Sequence, residues 1–297
     1  MSPARPTYRT AMDLARFLAA FGVVAAHAYA SERDWIGHLA LGLFLVLTAF
    51  LAVQSMDRAG GRYPWLARAR RLVLPWLFWS AVFRVVFLVV ADGPEKWAIL
   101  SDPWTLLIGS SIHLWFLPFV MLAMVMVEPS GRWITSDERV RLASVFLVLV
   151  TVPLFALHHF APMPEPLPQW AFGFPVYAYG LIIGHAHRIG RVGWPVAAMA
   201  LLSAAGFALT GEPWALMPIV AALAFEAFWR APVTAGWMKP LGAAAFGIYL
   251  VHPFFMLVCY KFLGADVNRL LATVLTFLMS WAAAEILRRL PVLRTLV

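Results

Sequence analysis

The chain has 297 residues, 62% of them hydrophobic and only 13% charged, with a net charge of +8 and a mean hydropathy of +0.79. A soluble domain needs roughly a quarter of its residues charged to cover its surface, so lipid has to cover much of this one. That excludes a sizeable soluble domain, and it makes the surplus of cations a matter of membrane topology rather than of nucleic-acid binding.

Apolar runs fall near residues 11–30, 36–55, 72–91, 113–127, 142–158, 170–187, 194–210, 214–229, 242–262 and 267–287. At about 20 residues per span, they predict an all-α integral membrane protein of about ten transmembrane helices, in a single domain over 1–297. Gly, Pro or charge marks most of the connections. The lone cysteine, Cys259, lies in an apolar stretch; it has no intrachain partner and no neighbours that would activate a thiol.

The first run also resembles a signal peptide: Arg5 and Arg9, an apolar stretch over 17–26, then Ala28-Tyr29-Ala30. Asp13 and Arg16 interrupt what would be its smooth apolar core, so a retained first span is expected. With the N-terminus placed in the cytoplasm, 17 Lys and Arg fall on the inner side and four on the outer: Arg33, Lys96, Lys261 and Arg269. The positive-inside rule therefore predicts both termini in the cytoplasm. Most acids fall outside, among them Glu32, Asp34, Asp92, Glu95, Asp102, Glu165 and Glu212.

Ionisable groups inside a span cost roughly 2.5–3.5 kcal/mol each on insertion scales and are functional suspects by default. The first span carries Asp13, Arg16 and His27. At 100° per residue, the eleven residues from Arg16 to His27 make close to three whole turns, so both face one way. Asp13, one turn earlier, shares that face. The rise of about 16 Å sets Arg16 toward the inner side and His27 toward the outer. An interfacial Asp13–Arg16 pair with an outward-reaching His27 is the plainer reading of the same residues.

Arg68, Arg70 and Arg71 precede Pro75 and Trp76 at the inner mouth of the third span. They read either as positive-inside anchors or as a clamp for a phosphorylated cytoplasmic ligand, which arginine suits through bidentate hydrogen bonds. His113-Leu114-Trp115-Phe116 opens the fourth span, as an aromatic anchor or as part of a site. In Gly247-Ile248-Tyr249-Leu250-Val251-His252-Pro253 the histidine lies mid-span, and Pro253 is expected to break the local ladder. Glu226 and Glu285 sit near inner ends, where their carboxylates can reach water. His185 and His187, and the adjacent His158 and His159 of an expected outer loop, do not share a helix face as zinc pairs do, so no metal site is expected.

Taken in order, Met12-Asp13-Leu14-Ala15-Arg16 with His27, Leu43-Phe44-Leu45-Val46-Leu47-Thr48-Ala49-Phe50-Leu51, Arg68 and Arg71 as R-x-x-R, His113-Leu114-Trp115-Phe116-Leu117 and Gly247–253 resemble the acyltransferase 3 family of bacterial membrane O-acyltransferases. Thr48-Ala49 departs from the Ser-Gly usual in the family, which touches close helix packing there. No fused esterase-like domain is present in this sequence. The resemblance implies a multi-pass protein of the bacterial cytoplasmic membrane. It would move an acyl group, most often acetyl, from cytoplasmic acyl-CoA to a hydroxyl of an extracytoplasmic glycan or glycolipid. The expected roles are His27 as general base, with Asp13 directing Arg16. Arg16, Arg68, Arg70 and Arg71 would meet the CoA phosphates, and His113, Trp115, Tyr249 and His252 would bind the acceptor or steady the oxyanion. Direct transfer and a covalent acyl-His27 intermediate both remain open.

The expected partners are membrane lipid and the glycan, with room for a homo-oligomer or a polysaccharide-assembly partner. Two other classes fit the same residues less fully. A transporter or flippase would use intramembrane Asp, Arg and His as a proton relay, but no paired broken spans mark two matching halves. A non-catalytic assembly subunit would use the polar stripe for packing alone. Trp35, Trp104, Trp115, Trp170 and Trp214 near outer ends are candidates for stacking on sugar, with interfacial anchoring the commoner use of such residues.

Overall fold

Helix ends fall where the sequence supplies caps and breakers. The computed structural model describes residues 9–29, 34–90, 93, 97, 112–264 and 266–297. Arg5, Ala30, Glu32, Arg33, Asp92, Glu95, Lys96, Asp102 and Trp104 therefore lie outside the described residues. The first helices are α1 (Ala11–Tyr29), α2 (Asp34–Arg58) and α3 (Trp65–Val90). The fourth span is a broken run: a 3-10 turn Ile112–Trp115, α4 (Phe116–Ala123), a 3-10 turn Met124–Met126 and α5 (Val127–Trp133). It continues past the apolar pattern, which stops near 127, because Glu128 and Arg132 pair across one turn and keep the helix going.

The chain then forms α6 (Asp137–Phe160), α7 (Leu167–Ile189) and α8 (Gly193–Thr210). A 3-10 turn Pro213–Leu216 leads into α9 (Met217–Arg230), followed by α10 (Met238–Leu263), α11 (Arg269–Arg289) and a final turn Leu293–Thr295. Ser136 caps α6 by accepting from Arg139 N, and Asn268 caps α11 by accepting from Leu270 N and Leu271 N. Gly190 and Gly211 end α7 and α8 at φ of +77° and +71°, the left-handed cap that glycine adopts without strain. His158 and His159 belong to the last turn of α6, not to a loop. Pro253 does not end its helix either, since α10 runs through it.

Eight of these helical runs are long and apolar enough to cross a membrane: α1, α2, α3, the run 113–133, α6, α8, α10 and α11. α7 and α9 do not meet that measure, for different reasons. α9 is short, at 14 residues. α7 carries Gln169, Tyr177, Tyr179, His185 and His187, and most of it from Ala171 to Ala186 is buried. It faces protein rather than lipid, so its sequence had no need to be uniformly apolar.

α2 and α7 form the centre. α2 packs on α1, α7 and α9; α7 also packs on α6, which carries α8; and α1 packs on α10, which carries α11. α3 lies at the rim, buried mainly along Pro75, Trp79 and Phe83, a stripe at four-residue spacing. The central seam needs small residues. A Cβ at Gly180 would lie 2.6 Å from the Ala49 Cβ and 2.9 Å from the Val46 carbonyl oxygen. The Ala at 49 thus does not open the packing, because α7 answers it with a glycine.

One end of the bundle gathers the arginines. Arg188 bonds Asp57 at 2.8 Å, Arg191 approaches Asp137 at 3.4 Å and Arg68 donates to Ser55 Oγ at 2.8 Å. Arg9 donates to the Trp229 carbonyl and lies 4.2 Å over the Trp229 ring, tying α1 to the end of α9. These contacts join the chain segments that the charge count assigns to one side.

Gly180→Val should lower the thermal midpoint in detergent, with a loss of at least about 1–3 kcal/mol for an overpacked contact. Gly193→Ala, where an added Cβ meets nothing within 4 Å, should leave it unchanged. Equal midpoints for the two variants would contradict the close α2–α7 seam.

Candidate functional site

The C-terminal end of α1 opens on a cavity of about 430 Å³. His27 is exposed, and the surface it shows lines this cavity together with His113, Trp115 and Tyr249. Among the described residues no hydrogen bond is recorded for the His27 ring. Its neighbour is His252, whose ring centroid lies 5.0 Å away. His252 in turn lies 5.3 Å from His113, and Phe83 from the stripe of α3 reaches His113 at 5.1 Å. The three histidines predicted from three separate spans therefore meet at one place.

The break in the ladder at Pro253 explains how His252 is held. Proline has no N–H, so the Tyr249 carbonyl, four residues back, loses its helical donor. His252 Nδ1 supplies the replacement at 2.7 Å. An acceptor at Nδ1 means that Nδ1 carries the hydrogen, which leaves the Nε2 lone pair of the neutral ring directed elsewhere. Nε2 is buried and has no hydrogen-bond partner among the described residues. His252 is 0% exposed and does not line the cavity; it stands behind His27. Tyr249 also fixes the site, since its hydroxyl donates to the His113 carbonyl and joins α10 to the turn before α4.

The rest of the lining comes from residues outside the predicted set. Asp34 and His38 of α2, His158 of α6, and Gln169 and Phe172 of α7 complete the lining, with Phe44 and Phe116. His38 stacks on Trp214 at 5.3 Å and 28°. The spacing of Asp34 and His38, one helical turn apart, was the available signal. His158 was hidden by its expected place in a loop.

Arg16 and Asp13 do not line the cavity. They lie at the other end of α1, where Arg16 Nη1 approaches Asp13 Oδ1 at 3.4 Å. Asp13 is buried under α10, which comes close there because residue 242 is glycine: a Cβ would sit 2.5 Å from the Asp13 Cβ. Arg68 and Arg71 share one face of the first turns of α3, with Arg68 half-buried and Arg70 and Arg71 exposed. Glu226 is not solvated as expected but buried, accepting from Arg230 and held against His187 Nε2 at 2.7 Å. Glu285 pairs with Arg288 at 2.9 Å. Among the described residues no group of three His, Cys, Asp or Glu is arranged to hold a metal ion. A second, almost wholly apolar crevice of about 390 Å³ lies between α5, α6 and α7.

A family model described as an acyltransferase domain, that of acyltransferase 3, matches residues 9–285. The chain belongs to the acyltransferase 3 family. It is a membrane acyltransferase, and the segments that carried the resemblance all fall within the matched range. No curated protein and no solved structure gave a match.

In this acyltransferase, restoring an N–H at position 253 should free the His252 ring. With ¹⁵N-labelled histidine, the wild type should show His252 as a single Nδ1–H tautomer, identified by its absence in His252→Gln. Pro253→Ala should show a mixture with Nε2–H. An unchanged His252 signal would contradict the assigned role of Pro253.

Proposed function

We propose that this acyltransferase carries an acyl group, acetyl in the simplest case, from cytoplasmic acyl-CoA to a hydroxyl of an extracytoplasmic glycan or glycolipid. One observation carries the reading. His27 opens into a cavity with room for part of a sugar, while the arginine-rich end of the bundle lies about 16 Å away along the same helix. That length is comparable with an extended pantetheine arm. The positive-inside rule supports placing the arginine end in the cytoplasm, and with it both termini, in the bacterial inner membrane.

The donor is then met from inside. Arg68 and Arg71, aided by Arg70 and by Arg16 on α1, suit the phosphates of CoA, since a guanidinium binds phosphate in bidentate fashion. Asp13 is a positioning residue that holds Arg16 along the helix. The thioester would reach the cavity floor beside His27. There the neutral imidazole takes the proton of the acceptor hydroxyl as its oxygen attacks the thioester carbonyl. Collapse of the tetrahedral intermediate breaks the C–S bond. The imidazolium returns its proton to the departing thiolate, so the products are the ester and CoA-SH. His113 and Trp115 line the place where the tetrahedral centre forms, and Tyr249 steadies His113 through its carbonyl. His252, its ring centroid 5.0 Å from that of His27, packs behind the base and limits how its ring can turn. The family membership favours this reading over a transporter.

Purified protein with labelled acetyl-CoA and envelope glycan should show the roles separately. His27→Ala should lower transfer by about 10²–10⁴-fold, the usual range for a general base. Arg68→Ala and Arg71→Ala should raise the half-saturating acetyl-CoA concentration instead. Full transfer by His27→Ala would end the proposal. Label retained on the wild type without acceptor, and not on His27→Ala, would replace direct transfer by an acyl-histidine.

A further inference from the structure

The part of the cavity lined by α2, α6 and α7 forms a wall with a single hydrogen-bonding character. His38 Nδ1 lies 3.0 Å from the Asp34 carbonyl oxygen and 3.2 Å from Asp34 Oδ2. Both are acceptors, so Nδ1 carries the hydrogen and the neutral ring keeps its lone pair on Nε2. His158 repeats the arrangement: Nδ1 meets the Pro168 carbonyl at 2.7 Å, and again Nε2 is left as acceptor. Gln169 adds a third acceptor. Its amide nitrogen donates to Glu165 at 2.9 Å, while Oε1 is buried and has no partner among the described residues. A buried amide oxygen without a partner carries a desolvation cost that an incoming donor removes. Asp34 supplies a carboxylate, an acceptor again.

The two rings are held in place rather than free to turn. His38 is stacked on Trp214, and His158 meets the same indole edge-on at 4.6 Å. Trp214 is itself only 6% exposed. Phe172 closes the corner 4.6 Å from His38. Beside these acceptors the cavity offers the apolar surfaces of Phe44, Phe116 and Phe172.

Resting on the function proposed above, we infer that this wall is the acceptor subsite and that it selects a neutral, polyhydroxylated sugar ring over an anionic one. A pyranose has hydroxyl donors around its edge and an apolar C–H face, which match four acceptors and an aromatic corner. A uronate, a sialate or a phosphosugar would bring further acceptors and negative charge against Asp34 and three lone pairs, a mismatch that disfavours binding. The subsite thus differs from the His27 wall, which performs the chemistry, and from the arginine end, which is suited to anions.

The test uses purified full-length protein, labelled acetyl-CoA, and glycan extracted from the envelope of a strain lacking this protein. Gln169→Leu, His38→Ala and His158→Ala should each raise the half-saturating amount of glycan about five- to tenfold, as loss of a binding hydrogen bond does. The half-saturating acetyl-CoA concentration should stay at the wild-type value, which also reports that each variant is folded. Mass spectrometry of the product should find the ester on a neutral sugar residue. Wild-type half-saturation by glycan in all three variants, or an ester on an acidic residue, would overturn the inference while leaving the acyltransferase proposal standing. No transfer by the wild type would remove that proposal and this one with it.

Discussion

A bilayer interior supplies no hydrogen-bond partners, so every polar group placed there has to be met by the protein itself. The missing N–H of Pro253 shows the constraint most plainly. It leaves the Tyr249 carbonyl without its helical donor, and the His252 ring fills the gap. Through that one substitution of partners, a backbone defect fixes a side-chain tautomer. The Tyr249 hydroxyl, from the same turn, reaches across to the His113 carbonyl. Two histidines on different segments are thereby set around His27, the one of the three whose side chain is exposed.

Close helix approach makes these contacts possible. Gly180 lets α7 come against α2 at Ala49, and Gly242 lets α10 come against α1 at Asp13. The first seam brings the Gln169 and Phe172 end of α7 to the cavity, and the second brings His252 beside His27. In lipid, where apolar burial between helices gives little net drive, small residues and van der Waals contact hold such seams together. The ionisable groups then divide along the length of α1. Its Asp13–Arg16 pair belongs to the arginine-rich end and its histidine to the cavity, three turns away. A transfer between an inside donor and an outside acceptor needs such a separation.

Much of this was legible in the sequence, for a physical reason. Apolar runs of span length and the arginine bias are properties of composition along the chain, and they gave the helices and their order. Asp13, Arg16, His27, His113 and His252 stood out because ionisable groups are rare in spans. The helices that escape a hydropathy measure are those buried in protein: α7 can carry tyrosines, histidines and glycines because lipid never meets it. The second wall of the cavity was hidden differently. Asp34, His38, His158 and Gln169 come from the ends of three helices, where polar residues are ordinary, and only tertiary packing brings them together. Pro253 breaks the ladder as its missing N–H requires, and the helix continues because a neighbouring side chain takes over the lost bond.

The central claim is that a donor held at the arginine end presents its thioester to His27. A structure of the full protein with a non-hydrolysable acetyl-CoA analogue bound tests it most directly. The account predicts the phosphates among Arg16, Arg68 and Arg71 and the acyl carbon beside the His27 ring in the cavity. An analogue whose acyl end lies away from His27, for example in the apolar crevice between α5, α6 and α7, would contradict it.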